Sequence, residues 1–213
     1  MLNDPEIERL LENFRPAALH SADETVYVLR PDLQLAYVNL GWMRFAARNG
    51  GEPRISLKWS IGRCVLDAIA PILRPFFAEN LGKCLREGRP WKHHYDCSSA
   101  DLSRAFMMTT YPLGNAEGLL VINSVEQESA HTRSPHEPLE VLYQDELGLI
   151  KQCCHCRRVQ RTGPEPSWDW VPDWVKSPPP RTSHGVCEPC FGSYYPTTPR
   201  FRKSLPEAFQ TRE

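Results

Sequence analysis

The sequence predicts an α+β protein in two parts: an antiparallel five-stranded sheet with flanking helices, followed by a small module held by its cysteines. Three observations carry that expectation. Strand-like and helix-like segments run in the order strand, strand, helices, strand, strand, strand, so hairpins flank a helical insertion instead of alternating with helices. A polar, proline-containing stretch, QESAHTRSPHEPLE, begins at residue 127 and reads as a linker. Beyond it two C-x2-C elements, Cys153–Cys156 and Cys187–Cys190, enclose a segment rich in Pro and Trp.

The elements follow from local pattern. Residues 1–20 read as an N-terminal helix, with Ile7, Leu10, Leu11 and Phe14 at helical spacing, Asn3 or Asp4 as the cap and Pro16 as the stop. Two occupants suit so narrow a stripe: the domain that follows, or a second copy of the chain in a homodimer. Residues 21–126 make the main domain. Val26–Leu29 and Leu35–Val38 read as strands joined by a turn at Pro31-Asp32. GWMRFAARN is helical and stops at Gly50-Gly51. Leu66, Ile69, Leu73, Phe76 or Phe77, Leu81 and Leu85 step by three and four. Pro71 and Pro75 suit the first turns of a helix, and Gly88 ends it. PWKHHYDC, SRAFMMTTYPL and GLLVINSV are the three remaining strands, the last two joined through Pro112-Leu113-Gly114-Asn115. Residues 127–146 form the linker, 147–197 the cysteine module and 198–213 a flexible basic tail.

Composition narrows the function classes. Lys and Arg (25) balance Asp and Glu (26), so no global field draws the chain to nucleic acid or to a membrane surface. Residues 151–213 hold ten basic against six acidic residues, a local excess that favours polyanions only weakly. No apolar run is long enough for a transmembrane helix, and the charged N-terminus lacks a signal peptide's apolar core. A cytoplasmic location is expected, where clustered cysteines more often bind metal than form structural disulfides. Cys64, Cys84 and Cys97 stand apart and read as buried free thiols.

The paired C-x2-C spacing carries the chemistry. Each element curls its backbone so that two sulfurs face one centre, and two elements supply the tetrahedral thiolate set of a closed structural Zn2+ site. The expected ligands are Cys153, Cys156, Cys187 and Cys190. Cys154 and His155 lie inside the first turn, which directs their side chains away from the metal. His184 is the alternative ligand, or a hydrogen-bond donor to a thiolate from outside the ligand set. Arg157 and Arg158 either offset thiolate charge or face solvent. A filled sulfur sphere leaves no open position for water or substrate, and no H-E-x-x-H or deaminase signature occurs, so no enzyme activity is expected at the site. Trp168, Trp170 and Trp174 read as core around the metal in preference to a platform for bases.

Two resemblances add to this. VYVLRPDLQLAYVN followed by GWMRFAARNG, then IGRCVLDAI, a long helix and three strands, resembles a PAS domain over residues 21–126. GLIKQCCHCRRVQR, WDWVPDWV and SHGVCEPCFGSYYP resemble a small zinc-ribbon-like module that follows PAS or receiver domains in bacterial signalling proteins. Cys153, Cys156, His184, Gly185, Cys187, Cys190, Tyr195 and Pro196 stand at its matching positions. The resemblances imply a bacterial sensory or adaptor protein of signal transduction, with the metal module presenting a surface to a protein partner. They leave open whether the PAS-like domain binds haem, flavin, another small molecule or nothing. Of the pair His93-His94, strand alternation turns one inward, and Cys64 lacks the Asn-Cys-Arg-Phe context of a flavin-adduct sensor. Two alternatives compete: a nucleic-acid-binding regulator using the basic module, and a thiol redox switch that releases zinc.

Overall fold

The computed structural model describes residues 4–164 and 167–195, and the chain divides into two compact units, Met1–Thr132 and Arg133–Glu213. Pro196 and the basic tail 198–213 lie outside the described residues.

The first unit opens with α1 (Pro5–Leu10), a 3-10 turn (Glu12–Phe14) and α2 (Pro16–Ser21). The single helix expected over residues 1–20 is therefore two. Pro16 starts α2 instead of ending a helix, because its missing N–H is harmless at a first helical position. Arg15 ahead of it is left-handed, φ 52°. Asp4 caps α1 through Oδ1, which accepts the Glu6 N–H at 2.9 Å. Next come β1 (Thr25–Leu29), β2 (Leu35–Val38), α3 (Leu40–Arg48), α4 (Arg54–Lys58), two 3-10 turns and α5 (Arg74–Glu87). β3 (Trp91–Asp96), β4 (Leu102–Leu113) and β5 (Gly118–Ala130) complete it. All neighbouring pairs are antiparallel, in the order β2-β1-β5-β4-β3.

Both faces of this sheet are covered at its centre, which is why β1 is apolar without alternation. On one face Val26, Val28 and Leu120 pack with Ile7, Leu10 and Leu11 of the N-terminal segment. The narrow stripe thus lies on its own domain. On the other face Tyr27, Leu29, Leu119, Val121 and Met108 meet Leu81 and Cys84 of α5, with Trp42 of α3 alongside. Of the three scattered cysteines, Cys84 is buried and Cys64 and Cys97 are half-buried.

Asn39 joins these layers. Fully buried between β2 and α3, it accepts the Val26 and Trp42 N–H groups on Oδ1 at 3.0 and 2.9 Å. Its Nδ2 donates to the carbonyls of Leu19, Ala22 and Glu24 at 3.0, 3.2 and 2.9 Å. One side chain caps α3, starts β1 and closes the end of α2. Gly41 lets α3 approach this chain crossing: a Cβ there would stand 2.1 Å from the Glu24 carbonyl oxygen and 2.7 Å from that of Ala22.

The turn between the last two strands is shifted from its expected place. Pro112 and Leu113 still belong to β4, and the reversal runs through Gly114 and Ala116 at φ 54° and 62°. Both ends of the expected linker 127–146 carry structure. β4 and β5 stay paired as far as Leu102↔Ala130, and Tyr143 is buried in the second unit. The far end of β5 is exposed from Glu126 onward, so a paired strand carries a linker's composition there.

The second unit contains β6 (Ile150–Cys153), β7 (Val159–Arg161), β8 (Ser167–Asp169), α6 (Pro172–Lys176), β9 (Thr182–Gly185) and α7 (Glu188–Tyr194). Its sheet runs β8-β7-β6-β9, with β9 parallel to β6. Tyr143, Ile150, Val159, Val171 and Trp174 form one small core, and the four cysteines with Trp168 form another. Asp169 ties strand to core, accepting from Arg161 Nε at 2.7 Å and Tyr143 OH at 3.0 Å.

Replacing Asn39 by Ala removes five hydrogen bonds, to three carbonyls and two N–H groups, and is expected to destabilise the first unit by about 3 kcal/mol in urea unfolding. Gly41→Ala is expected to be destabilising as well, because backbone must move to admit the methyl group.

Candidate metal centre and a cleft in the first unit

The parallel pairing of β6 with β9 assembles the candidate metal centre. Its register ends at Cys153↔Gly185, so Cys187 arrives beside Cys153 two residues beyond the strand. The Cys154 N–H donates to the Gly185 carbonyl at 2.8 Å and locks the crossing. Gly185 fits because the Lys151 side chain lies over it, 3.2 Å from where a Cβ would stand. The first turn closes when the Arg157 N–H donates to the Cys153 carbonyl at 3.1 Å, with Arg157 left-handed at φ 64°. Cys187 caps α7 and Cys190 sits in its first turn.

Cys153, Cys156, Cys187 and Cys190 are all buried, and their sulfurs lie within 4.8 Å of one another. Cys156 and Cys187 Sγ are 3.6 Å apart. A tetrahedral Zn2+ with Zn–S bonds of about 2.3 Å sets its sulfurs about 3.8 Å apart, so the donor set and its size fit that ion. Among the described residues this is the group of His, Cys, Asp and Glu side chains close enough to share a metal.

The sulfurs ionise unequally. Hydrogen bonds from Cys156, Cys187 and Cys190 hold Cys153 far below the ordinary thiol range. Cys187 is raised by Cys153 but lowered further by Cys156 and Cys190, to about 7. Hydrogen bonding first to Cys153 and then to other sulfurs of the cluster pushes Cys156 and Cys190 far up. Cys154 is pushed to about 12, first by burial and then by the negative charge of Cys153. A divalent cation removes this repulsion and displaces the retained protons.

The two histidines exchange their expected places. His184 is exposed on β9 opposite Gln152 and is outside the sulfur cluster. His155, expected to point away, stands with Nδ1 3.2 Å from Cys190 Sγ. The turn directs it away from the first pair of sulfurs, but towards the second knuckle. Arg133, which carried no signal in the sequence, donates Nη1–H to the Cys156 carbonyl at 2.9 Å and lies 4.8 Å from the Trp170 ring centroid. The tryptophans are core: Trp170 and Trp174 are buried, and Trp168 packs on the cysteines.

The first unit offers a second candidate. A cleft of ≈ 420 Å³ opens between α3 and the sheet, with Phe45 and Asn49 on one wall and Arg104, Phe106 and Asn123 on the other. Phe45 meets Phe106 edge-on at 5.7 Å, Arg104 donates to Asn49 Oδ1 at 2.9 Å, and Tyr95 OH donates to Asn123 Oδ1 at 3.0 Å. Burial pushes Tyr27, another neighbour of Asn123, up to about 12. Inward alternation along β4 and β5 is the signal that could have identified Phe106 and Asn123. His93 and His94 alternate as expected: His93 stacks on Trp91 near Phe76 and Phe77, while exposed His94 meets Glu126 at 2.8 Å.

No family model and no curated protein matches the chain. Solved structures do. The photoactive yellow protein domain of the sensor histidine kinase Ppr from Rhodospirillum centenum is 12% identical with a TM-score of 0.36, covering 54% of this chain and 95% of that one. The PAS domain of Bordetella pertussis BvgS is 16% identical (TM-score 0.34, 57% and 86% covered). The PAS domain of an HTR-like protein from Haloarcula marismortui is 18% identical (TM-score 0.31, 56% and 97% covered). The α+β, PAS-like fold of the first unit rests on its own element order and strand pairing.

Because hydrogen bonds within the cluster hold Cys153 far below the ordinary thiol range, Zn2+ uptake at pH 7 is expected to release fewer than four protons per ion. Calorimetry in two buffers of different ionisation enthalpy measures that number. Release of about four would mean that the sulfurs do not interact as described.

Proposed function

We propose that this chain is a PAS-type sensory or adaptor protein of bacterial signal transduction, working in the cytoplasm by binding and not by turnover. The first unit takes a small ligand in the cleft between α3 and the sheet. The second unit is held by a structural Zn2+ on Cys153, Cys156, Cys187 and Cys190 and presents a rigid surface to a protein partner. One observation carries the metal part: four buried sulfurs within 4.8 Å of one another, delivered by two C-x2-C turns. With all four positions taken by sulfur, the ion serves the fold and has no place for substrate. Among the described residues no helix is long and apolar enough to cross a membrane.

Elemental analysis of the purified protein is expected to find one zinc per chain, and its absorbance spectrum reports any haem or flavin in the same sample. Cys153→Ser or Cys187→Ser is expected to lose zinc and to unfold the second unit, while the first keeps its own cooperative transition. Absence of zinc, or a single transition in which both units melt together, overturns this reading.

A further inference from the structure

His155 belongs to the first knuckle yet touches the second. Its Nδ1 is 3.2 Å from Cys190 Sγ, and its ring meets Tyr194 edge-on at 5.2 Å and 84°. Tyr194 is buried on α7, the helix that also carries Cys190. The imidazole is therefore fixed from two sides: by the turn that bears it and by the helix it faces. A metal-bound thiolate can only accept, so the nitrogen at this distance donates, and the contact sets the tautomer with hydrogen on Nδ1.

The four cysteines are all buried but not to the same degree. Cys153 is 0% exposed, Cys187 1%, Cys156 6% and Cys190 9%. Cys153 Sγ receives the backbone N–H of Cys187 at 3.4 Å, whereas Cys190 Sγ is reached by a side chain. The least buried of the four cysteines is the one whose sulfur His155 touches. An N–H donor draws electron density from a thiolate and lowers its nucleophilicity while leaving it bound to the metal.

We propose that His155 is a positioning residue of the metal centre, whose Nδ1–H holds the Cys190 thiolate and restrains its reactivity. Loss of this bond makes Cys190 the sulfur at which metal release begins. The inference rests on the reading of the cluster as a zinc site.

Two variants of the full, zinc-loaded chain test it. His155→Phe keeps a flat ring against Tyr194 but has no N–H, and His155→Asn places an amide donor close to the Nδ1 position. Iodoacetamide forms an S–C bond at the attacked sulfur and expels iodide, and peptide mass spectrometry reports which cysteine reacted. Cys190 is expected to react roughly 10-fold faster in His155→Phe, with zinc passing faster to a chelator and the sulfur-to-metal band of the Co2+-loaded protein displaced. His155→Asn is expected to restore all three. Equal Cys190 rates and identical Co2+ spectra in His155→Phe and the unaltered protein overturn the proposal, as does equal loss of zinc from both variants. Loss of zinc from His155→Phe with retention in His155→Asn supports it. Absence of zinc from the unaltered protein overturns the metal reading itself.

Discussion

Four sulfurs packed inside one small volume repel one another as soon as more than one is charged, and the second unit is arranged around that constraint. Water cannot screen the charges, because all four cysteines are buried. Backbone amides hold the cluster together: the Cys187 N–H points at Cys153 Sγ, the Arg157 N–H closes the first turn, and the Cys154 N–H ties that turn to Gly185. A unit this small has little apolar surface of its own, so the sulfur cluster stands beside a second miniature core of Tyr143, Val159 and Trp174. The parallel register of β6 on β9 is what lets the two coincide.

The first unit solves a different problem. Its sheet is apolar on both faces, and each face needs a cover: the N-terminal segment for one, the helical insertion for the other. The chain must then cross between layers without leaving polar backbone buried and unpaired. Asn39 does this with five hydrogen bonds, and Gly41 permits the close approach those bonds require. The cleft lies between α3 and the sheet, lined by Phe45, Asn49, Arg104, Phe106 and Asn123.

Much of this was legible in the chain. The order of elements followed from periodicity, the long helix from its apolar steps, its end from Gly88 and the four sulfurs from their spacing. What misled was local composition read without pairing. Pro16 looks like a helix stop, but the same ring also starts a helix. The end of β5 looks like a linker because its exposed residues are polar, although the strand stays hydrogen-bonded to β4. His184 looked close to a thiolate by its three-residue separation from Cys187, but it stands on a strand, exposed, while His155 reaches the sulfur through the turn geometry of the other knuckle.

By itself the sequence determined which atoms can bind metal and where the strands and the long helix of the first unit fall, because donor chemistry and apolar period are local properties. Only the tertiary structure decided what those atoms meet. The pairing of β6 with β9, the histidine that touches Cys190, the cover over each sheet face and the walls of the cleft all depend on residues far apart in the chain. Their contact is set by packing and by the demand that buried polar groups find partners, and no spacing rule encodes either.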